Sequence, residues 1–220
     1  MYISEEHKVN IMNNNLVLDK NLTKVKRNVT FFYEAGPSNT VHVVDSVKDR
    51  LLIGDIKEVV VPATTGDTAN LFLKELTGLA KVVSVSEDEA ISVCKLITRS
   101  TNGLLASLVR RRIEHELASK RLRREAFDIT FLPFCGEKWD AVKNILYAFG
   151  HGMKVAIEVS VVAVELGKIE PYKKIISVGG KEGGVDTAIV LRSSSQREAF
   201  GEINKNRLSV LEIICMPIEK

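Results

Sequence analysis

The 220-residue chain has no run of about 18 apolar residues, so no membrane-spanning helix is expected. Its three cysteines, Cys94, Cys135 and Cys215, lie far apart with no CxxC pair, and there are only four histidines. That pattern argues against a disulfide framework and a structural zinc site, and it suits a reducing cytoplasm. The opening MYISEEHKVNIMNNN lacks the basic-then-apolar layout of an export signal. Asn21-Leu22-Thr23 and Asn28-Val29-Thr30 are therefore chance matches to the glycosylation pattern. A net charge of +3 is too small to imply nucleic acid by itself. What is present is an apolar fraction of 45%, enough for a sizeable core, on a length that suits one large α/β domain.

The most informative stretch is Val59–Asn70, VVVPATTGDTAN. Three β-branched residues suit a buried parallel strand, and Pro62, with no N–H to donate, ends its ladder. Thr64, Thr65, Gly66, Asp67 and Thr68 then form a polar turn before a helix over Ala69–Leu76. Strand, small-residue loop and helix N-terminus is an arrangement that aims backbone N–H groups and hydroxyls at an anion. A plainer reading is that Asp67 or Thr65 simply caps the helix, and the charge of Asp67 itself opposes an anion. The turn alone does not decide between the two.

Around this stretch the pattern alternates. Residues 1–27 are polar and read as a loosely held extension, within which Leu16-Val17-Leu18 would suit an edge strand. Residues 28–220 then form one domain. Val29–Glu34 is a strand, Val41–Ile53 a helix, Lys57–Val61 a strand and Lys81–Val85 another. Strands alternating with helices point to a mostly parallel sheet with helices on both faces, whose ligands bind beyond the C-terminal strand ends. Residues 87–127 are mainly helical and carry the basic run Arg110–Arg124, RRRIEHELASKRLRR. A solvated face with i,i+4 pairs such as Glu116–Lys120 accounts for that run. With no interleaved aromatics, it is a weak nucleic-acid signal, and His115 reads as a surface residue.

Asp128–Leu132 is a further strand, and Cys135 in the loop after it reads as a buried thiol, with no histidine close in sequence. Glu137–Phe149 is an amphipathic helix that Gly150-His151-Gly152 breaks. Met153–Leu166 is ambiguous: its valines favour a strand, yet its length and the following Gly167 favour a helix. Glu158 in its middle needs a partner, a ligand or a proton. Lys173–Val178 and Ala188–Leu191 are strands flanking the glycine-rich turn Gly179–Thr187. Its glycines let backbone amides approach a ligand closely, although a loose hairpin would have the same composition. Ser193–Asn206 is polar with some helix, and Val210–Cys215 is a last strand stopped by Pro217.

Several blocks together, FGHGMKVAIEVSVVAVELGKI, ISVGGKEGGVDTAIVLR and EIICMP, with FYEAGPSNT and IKEVVVPATTGDTA before them, resemble a small family of stand-alone proteins, largely archaeal. These are similar to the C-terminal domain of pyruvate kinase and have no assigned activity. The resemblance covers roughly residues 29–85 and 134–217; residues 1–27 and 87–127 depart from it. It implies a three-layer α/β/α sandwich and a helical Met153–Leu166. In pyruvate kinase the equivalent domain is regulatory: a threonine-rich loop grips a sugar-phosphate effector and a glycine-bearing hairpin closes over it. Thr64–Thr68 resembles that loop and Gly179–Thr187 that hairpin, although Asp67 stands where the kinase often has a basic or neutral residue. The resemblance also implies flavin mononucleotide (FMN) as cofactor. With no counterpart of the catalytic barrel, pyruvate kinase activity should be absent.

The expected site therefore combines Thr64, Thr65, Gly66, Asp67 and Thr68 with Gly179, Gly180, Gly183 and Gly184 around the phosphate of a small molecule. His151 and Lys154 would add a donor and a positive charge, and Lys181 a mobile countercharge. The same pocket would serve an enzyme if Glu158 or His151 acted as acid/base, or if a bound flavin did redox chemistry. A third reading makes residues 110–124 a nucleic-acid interface. No metal is expected, and the expected assembly is a homo-oligomer.

Overall fold

In a computed structural model of the chain, the structure describes residues 24–63, 66–86, 88–90, 93 and 137–219, with side chains omitted for 137–140. Residues 1–23, Thr64, Thr65, Cys94, Cys135, the basic run 110–124 and the expected strand at 128–132 lie outside the described residues. Among the described residues six strands make one sheet: β1 (Thr30–Phe32), β2 (Glu58–Pro62), β3 (Lys81–Val85), β4 (Lys174–Gly179), β5 (Thr187–Arg192) and β6 (Ser209–Pro217). Their order is β1-β6-β5-β4-β2-β3, and every neighbouring pair is parallel except the two that involve β5. Five strands thus end at one rim. Helices with described bounds are α1 (Thr40–Leu51), α2 (Asp67–Glu75), α3 (Glu137–Tyr147) and α4 (His151–Glu165), and residues 88–90 are also helical.

Period-two alternation splits the valine run of β2 between two cores. Val59 and Val61 pack with Val43, Val47, Phe72 and Leu76 beneath α1 and α2. Val60 points the other way, into a core shared with Val155, Val159 and Ala163 of α4. Both faces of the sheet are covered, as parallel strands require, and α3 packs outside α4. Pro62 does not lie beyond the ladder: it is the last residue of β2, in register with Val85. Its missing N–H costs nothing there, because Ala63 N–H makes the next bond, to Val85 O at 2.9 Å.

The valine-rich stretch is helical. Its walls are all protein: residues 152–163 are buried without a break, so no exposed face imposes a visible period. Its ends are set by glycine. Gly150 (φ 106°) takes the N-cap position, so the helix starts at His151 and Gly152 belongs to it. At the other end Gly167 (φ 67°) donates to Val164 O, and Lys168 N–H donates to Ala163 O. That paired return of amides to the last turn is a Schellman closure. Ser193–Asn206, by contrast, contains turns and no helix. Serine hydroxyls there bond to backbone instead: Ser193 Oγ to Glu170 O at 2.9 Å and Ser194 Oγ to Asn206 O at 2.6 Å.

The sheet edge opposite the rim is fastened by charge. Arg50, 5% exposed, forks onto Asp55 (2.7 and 3.2 Å) and donates from Nε to Glu212 Oε2 at 2.8 Å. Lys174 also pairs with Asp55. The Arg50 guanidinium holds the Asp55 carboxyl well below the usual carboxylate range.

Candidate functional site

Four chain segments converge at the rim where the parallel strands end. β1 leads through Gly36 and Pro37 into α1, and β2 leads through Gly66 into α2. β4 leads through residues 180–186 back into β5, and the first turn of α4 sits against the same edge.

The 180–186 connection is a formed turn. Gly184 N–H donates to Lys181 O at 3.3 Å, and both central residues, Glu182 (φ 58°) and Gly183 (φ 86°), have positive φ. Positive φ at both places is the type I′ pattern that matches strand twist, and it explains a glycine there. The turn folds onto the helices of the α1/α2 face. Thr68 Oγ1, in the first turn of α2, donates to Gly183 O at 3.0 Å across 115 residues of sequence. Val185 N–H donates to Thr40 Oγ1 at 3.1 Å. At Gly184 a Cβ would lie 2.4 Å from Pro37 Cα and 2.7 Å from Thr40 Oγ1, so only glycine allows this contact. Thr68 and Gly183, one from each of the two turns expected to combine, are thus in direct contact.

Gly66 (φ 88°) is the N-cap of α2, and Asp67 is the first helical residue, not the cap. A left-handed residue there leaves Asp67 in the first turn, where its charge complements the helix dipole. Thr68 is 8% exposed. Lys181 is on the exposed turn, paired with Glu182 at 3.4 Å.

Lys154 and Glu158 are not where a phosphate site would need them. Lys154 has no exposed surface, and its Nζ lies 2.9 Å from Glu158 Oε2, one helical turn on. It also lies 5.8 Å from the centroid of the Tyr147 ring, against which His151 packs at 5.7 Å. His151, Lys154 and Glu158 are spaced three and four residues apart on one side of α4, and Tyr147, the last residue of α3, meets His151 and Lys154 there. The opposite side, with Gly152 and Ala156, meets the sheet: a Cβ at Gly179 would lie 2.2 Å from Gly152 O. The expectation that Lys154 supplies countercharge to the cradle is thus corrected. Its charge is taken up by the carboxylate that the same apolar helix had to bury.

The sequence reading passed over Asp186. It is 1% exposed, accepts from Gly36 N–H at 2.9 Å and from Thr187 Oγ1 at 2.8 Å, and its own N–H donates to Gly179 O at 3.0 Å. The carboxylate thereby ties the loop before α1 to the start of β5, and the Asp186 backbone N–H ties it to the end of β4. A charged residue between four glycines and the apolar strand TAIVL was the available signal. Burial is the largest influence on the carboxyl and raises its pKa, against the lowering by its donors. A raised folded value means that Asp186 favours the fold below its ordinary pKa of 3.8 and that this contribution is lost as pH rises through the folded value. Asp186→Asn is therefore expected to gain stability relative to wild type on going from pH 4 to pH 7.5. Urea midpoints at the two pH values measure it; an unchanged difference would mean the carboxyl is solvated.

Cys215, fully buried beside this cluster, has its thiol pushed up to about 12 by burial, which makes it an inert packing group. Among the described residues no group of three or more His, Cys, Asp or Glu is placed to hold a metal ion. No described helix is long and apolar enough to cross a membrane. The fold and rim together define an α/β protein with a mostly parallel mixed sheet and a glycine-rich hairpin closed over a helix N-terminus. No family model matches the chain.

Proposed function

We propose that the chain binds a small phosphorylated molecule, FMN or a sugar phosphate, at the rim formed by Gly66–Thr68 and Gly179–Gly184. The observation that carries this reading is the contact of Thr68 Oγ1 with Gly183 O, which joins a helix N-terminus to a turn rich in backbone amides. The attraction would come from oriented dipoles more than from net charge, since Asp67 and Glu182 offset Lys181. Thr64 and Thr65, next in sequence to Gly66, would add hydroxyls. The resemblance to the pyruvate kinase C-terminal domain supports the same location and gives no reason to expect the kinase reaction.

An acid/base enzyme that uses Glu158 has less support, because that carboxylate is committed to Lys154 inside the protein. Native mass spectrometry of the purified chain with an absorbance scan tests the binding reading. A retained phosphorylated compound, or mass shifts on adding FMN or sugar phosphates, is the expected result. Bare protein under both conditions would count against it.

A further inference from the structure

We infer that the rim takes a ligand bearing a single phosphate group and turns away one that bears two, and that Asp186 is the residue that discriminates. The inference deepens the phosphate reading above and rests on it. Helices α1, α2 and α4 all begin at this rim, and a helix N-terminus attracts an anion. Two of the three are already engaged by the protein's own groups. Before α1 stand Pro37, which has no N–H, and Gly36, whose N–H donates to Asp186 Oδ2 at 2.9 Å. Thr40 Oγ1 accepts from Val185 N–H and donates to Pro37 O at 2.7 Å. At α4, a Cβ on Gly152 would lie 2.3 Å from Asp186 Oδ1 and 2.3 Å from Thr187 Oγ1, so the carboxylate lies against the first turn of that helix. α4 has neither a capping side chain nor an acidic residue in its own first turn, and Asp186 supplies the negative charge there from another element. Of the three, that leaves α2, which starts at Gly66 without a side-chain cap.

The charges agree. Gly66–Thr68 and residues 179–186 carry three carboxylates, Asp67, Glu182 and Asp186, and one ammonium, Lys181, which is paired with Glu182 at 3.4 Å. Lys154 of α4 is paired with Glu158. Dipoles at α2 can hold one phosphate, but these two segments offer a second one no further cation. Asp67 and Glu182 are exposed, so water and salt screen them. Asp186 is 1% exposed, and charge repulsion is far stronger in such surroundings. Both of its oxygens accept hydrogen bonds, the pattern of an ionised carboxylate, and both donors, Gly36 N–H and Thr187 Oγ1, are neutral. A charge set against the wrong ligand is one of the two routes to specificity. A second phosphate reaching across the strand ends from α2 towards α4 meets that charge.

The test is an amide NMR titration of the full chain at pH 8 with two pairs of probes, orthophosphate against pyrophosphate and glucose 6-phosphate against glucose 1,6-bisphosphate. The first member of each pair should bind at least about tenfold more tightly than the second. Asp186→Asn should bring that ratio below about threefold. Glu182→Asn removes an exposed charge at a residue whose φ of 58° asparagine accepts, and should leave the ratio within about twofold of wild type. The wild-type spectra give a second reading that needs no variant. A bound monophosphate should move the amides of residues 66–68 and 180–184 and leave those of Gly152 and Met153 in place. Tighter binding of the doubly phosphorylated probes, an unchanged ratio in a folded Asp186→Asn, or ligand-induced shifts at Gly152 and Met153 would overturn the inference. If none of the four probes moves any amide of the site, the phosphate reading falls and this inference with it.

Discussion

Replacing Lys154 with methionine is expected to cost about 3–5 kcal/mol, a large part of the stability of a domain this size. Methionine fills nearly the same volume, so little of the loss comes from packing. The loss comes from Glu158, 5% exposed, which no longer has the ammonium 2.9 Å away to offset the burial of its carboxylate. The double variant Lys154→Met with Glu158→Leu is expected to recover most of the loss, because removing both charges also removes their desolvation cost. Urea unfolding of the four proteins gives the coupling directly. A single variant that costs under about 1 kcal/mol would mean that water reaches the pair. It would also return Glu158 to the list of groups able to move a proton.

Gly179→Ala is the second large effect, expected at roughly 3 kcal/mol or more, the upper end for overpacking. The new Cβ would lie 2.2 Å from Gly152 O and 2.5 Å from Ala156 N. Both neighbours are helix backbone, so no rotamer change relieves the clash. α4 would have to lift from β4, which also strains the Ser177 Oγ bond to Ala156 O at 2.6 Å. Gly183→Ala is the matched comparison. A Cβ there meets nothing within 4 Å, and the cost is only that of holding alanine at φ 86°, about 1–2 kcal/mol. Unfolding midpoints of the two variants rank them, and a Gly183→Ala loss as large as that of Gly179→Ala would mean that turn geometry, not helix–strand contact, limits stability.

These two positions also show what the sequence discloses. The triple valine of β2 is legible because both of its faces are apolar and Pro62 closes it. The stretch from Met153 is not, since a helix buried all round has no polar stripe to reveal its period. Gly150 and Gly167 at its ends carried the decisive information, read from the chain only at the second. Glu158 visibly needed a partner, and Lys154 four residues earlier was its natural one; the reading instead gave Lys154 to the phosphate. Thr68 and Gly183 meet across 115 residues, so no local pattern could show that contact; the order of strands produces it. Asp186 stayed hidden because its role is to join loops that are 150 residues apart.

The central claim is that the rim recognises phosphate. The most direct measurement is the thermal midpoint of the full chain with FMN, with sugar phosphates and with riboflavin, which is FMN without its phosphate. At about one hundred times the dissociation constant, a phosphorylated ligand should stabilise by about 2.7 kcal/mol, or roughly 5–10 °C. Riboflavin should give little or no shift. Equal shifts from FMN and riboflavin, or none from any phosphorylated compound, would contradict the account.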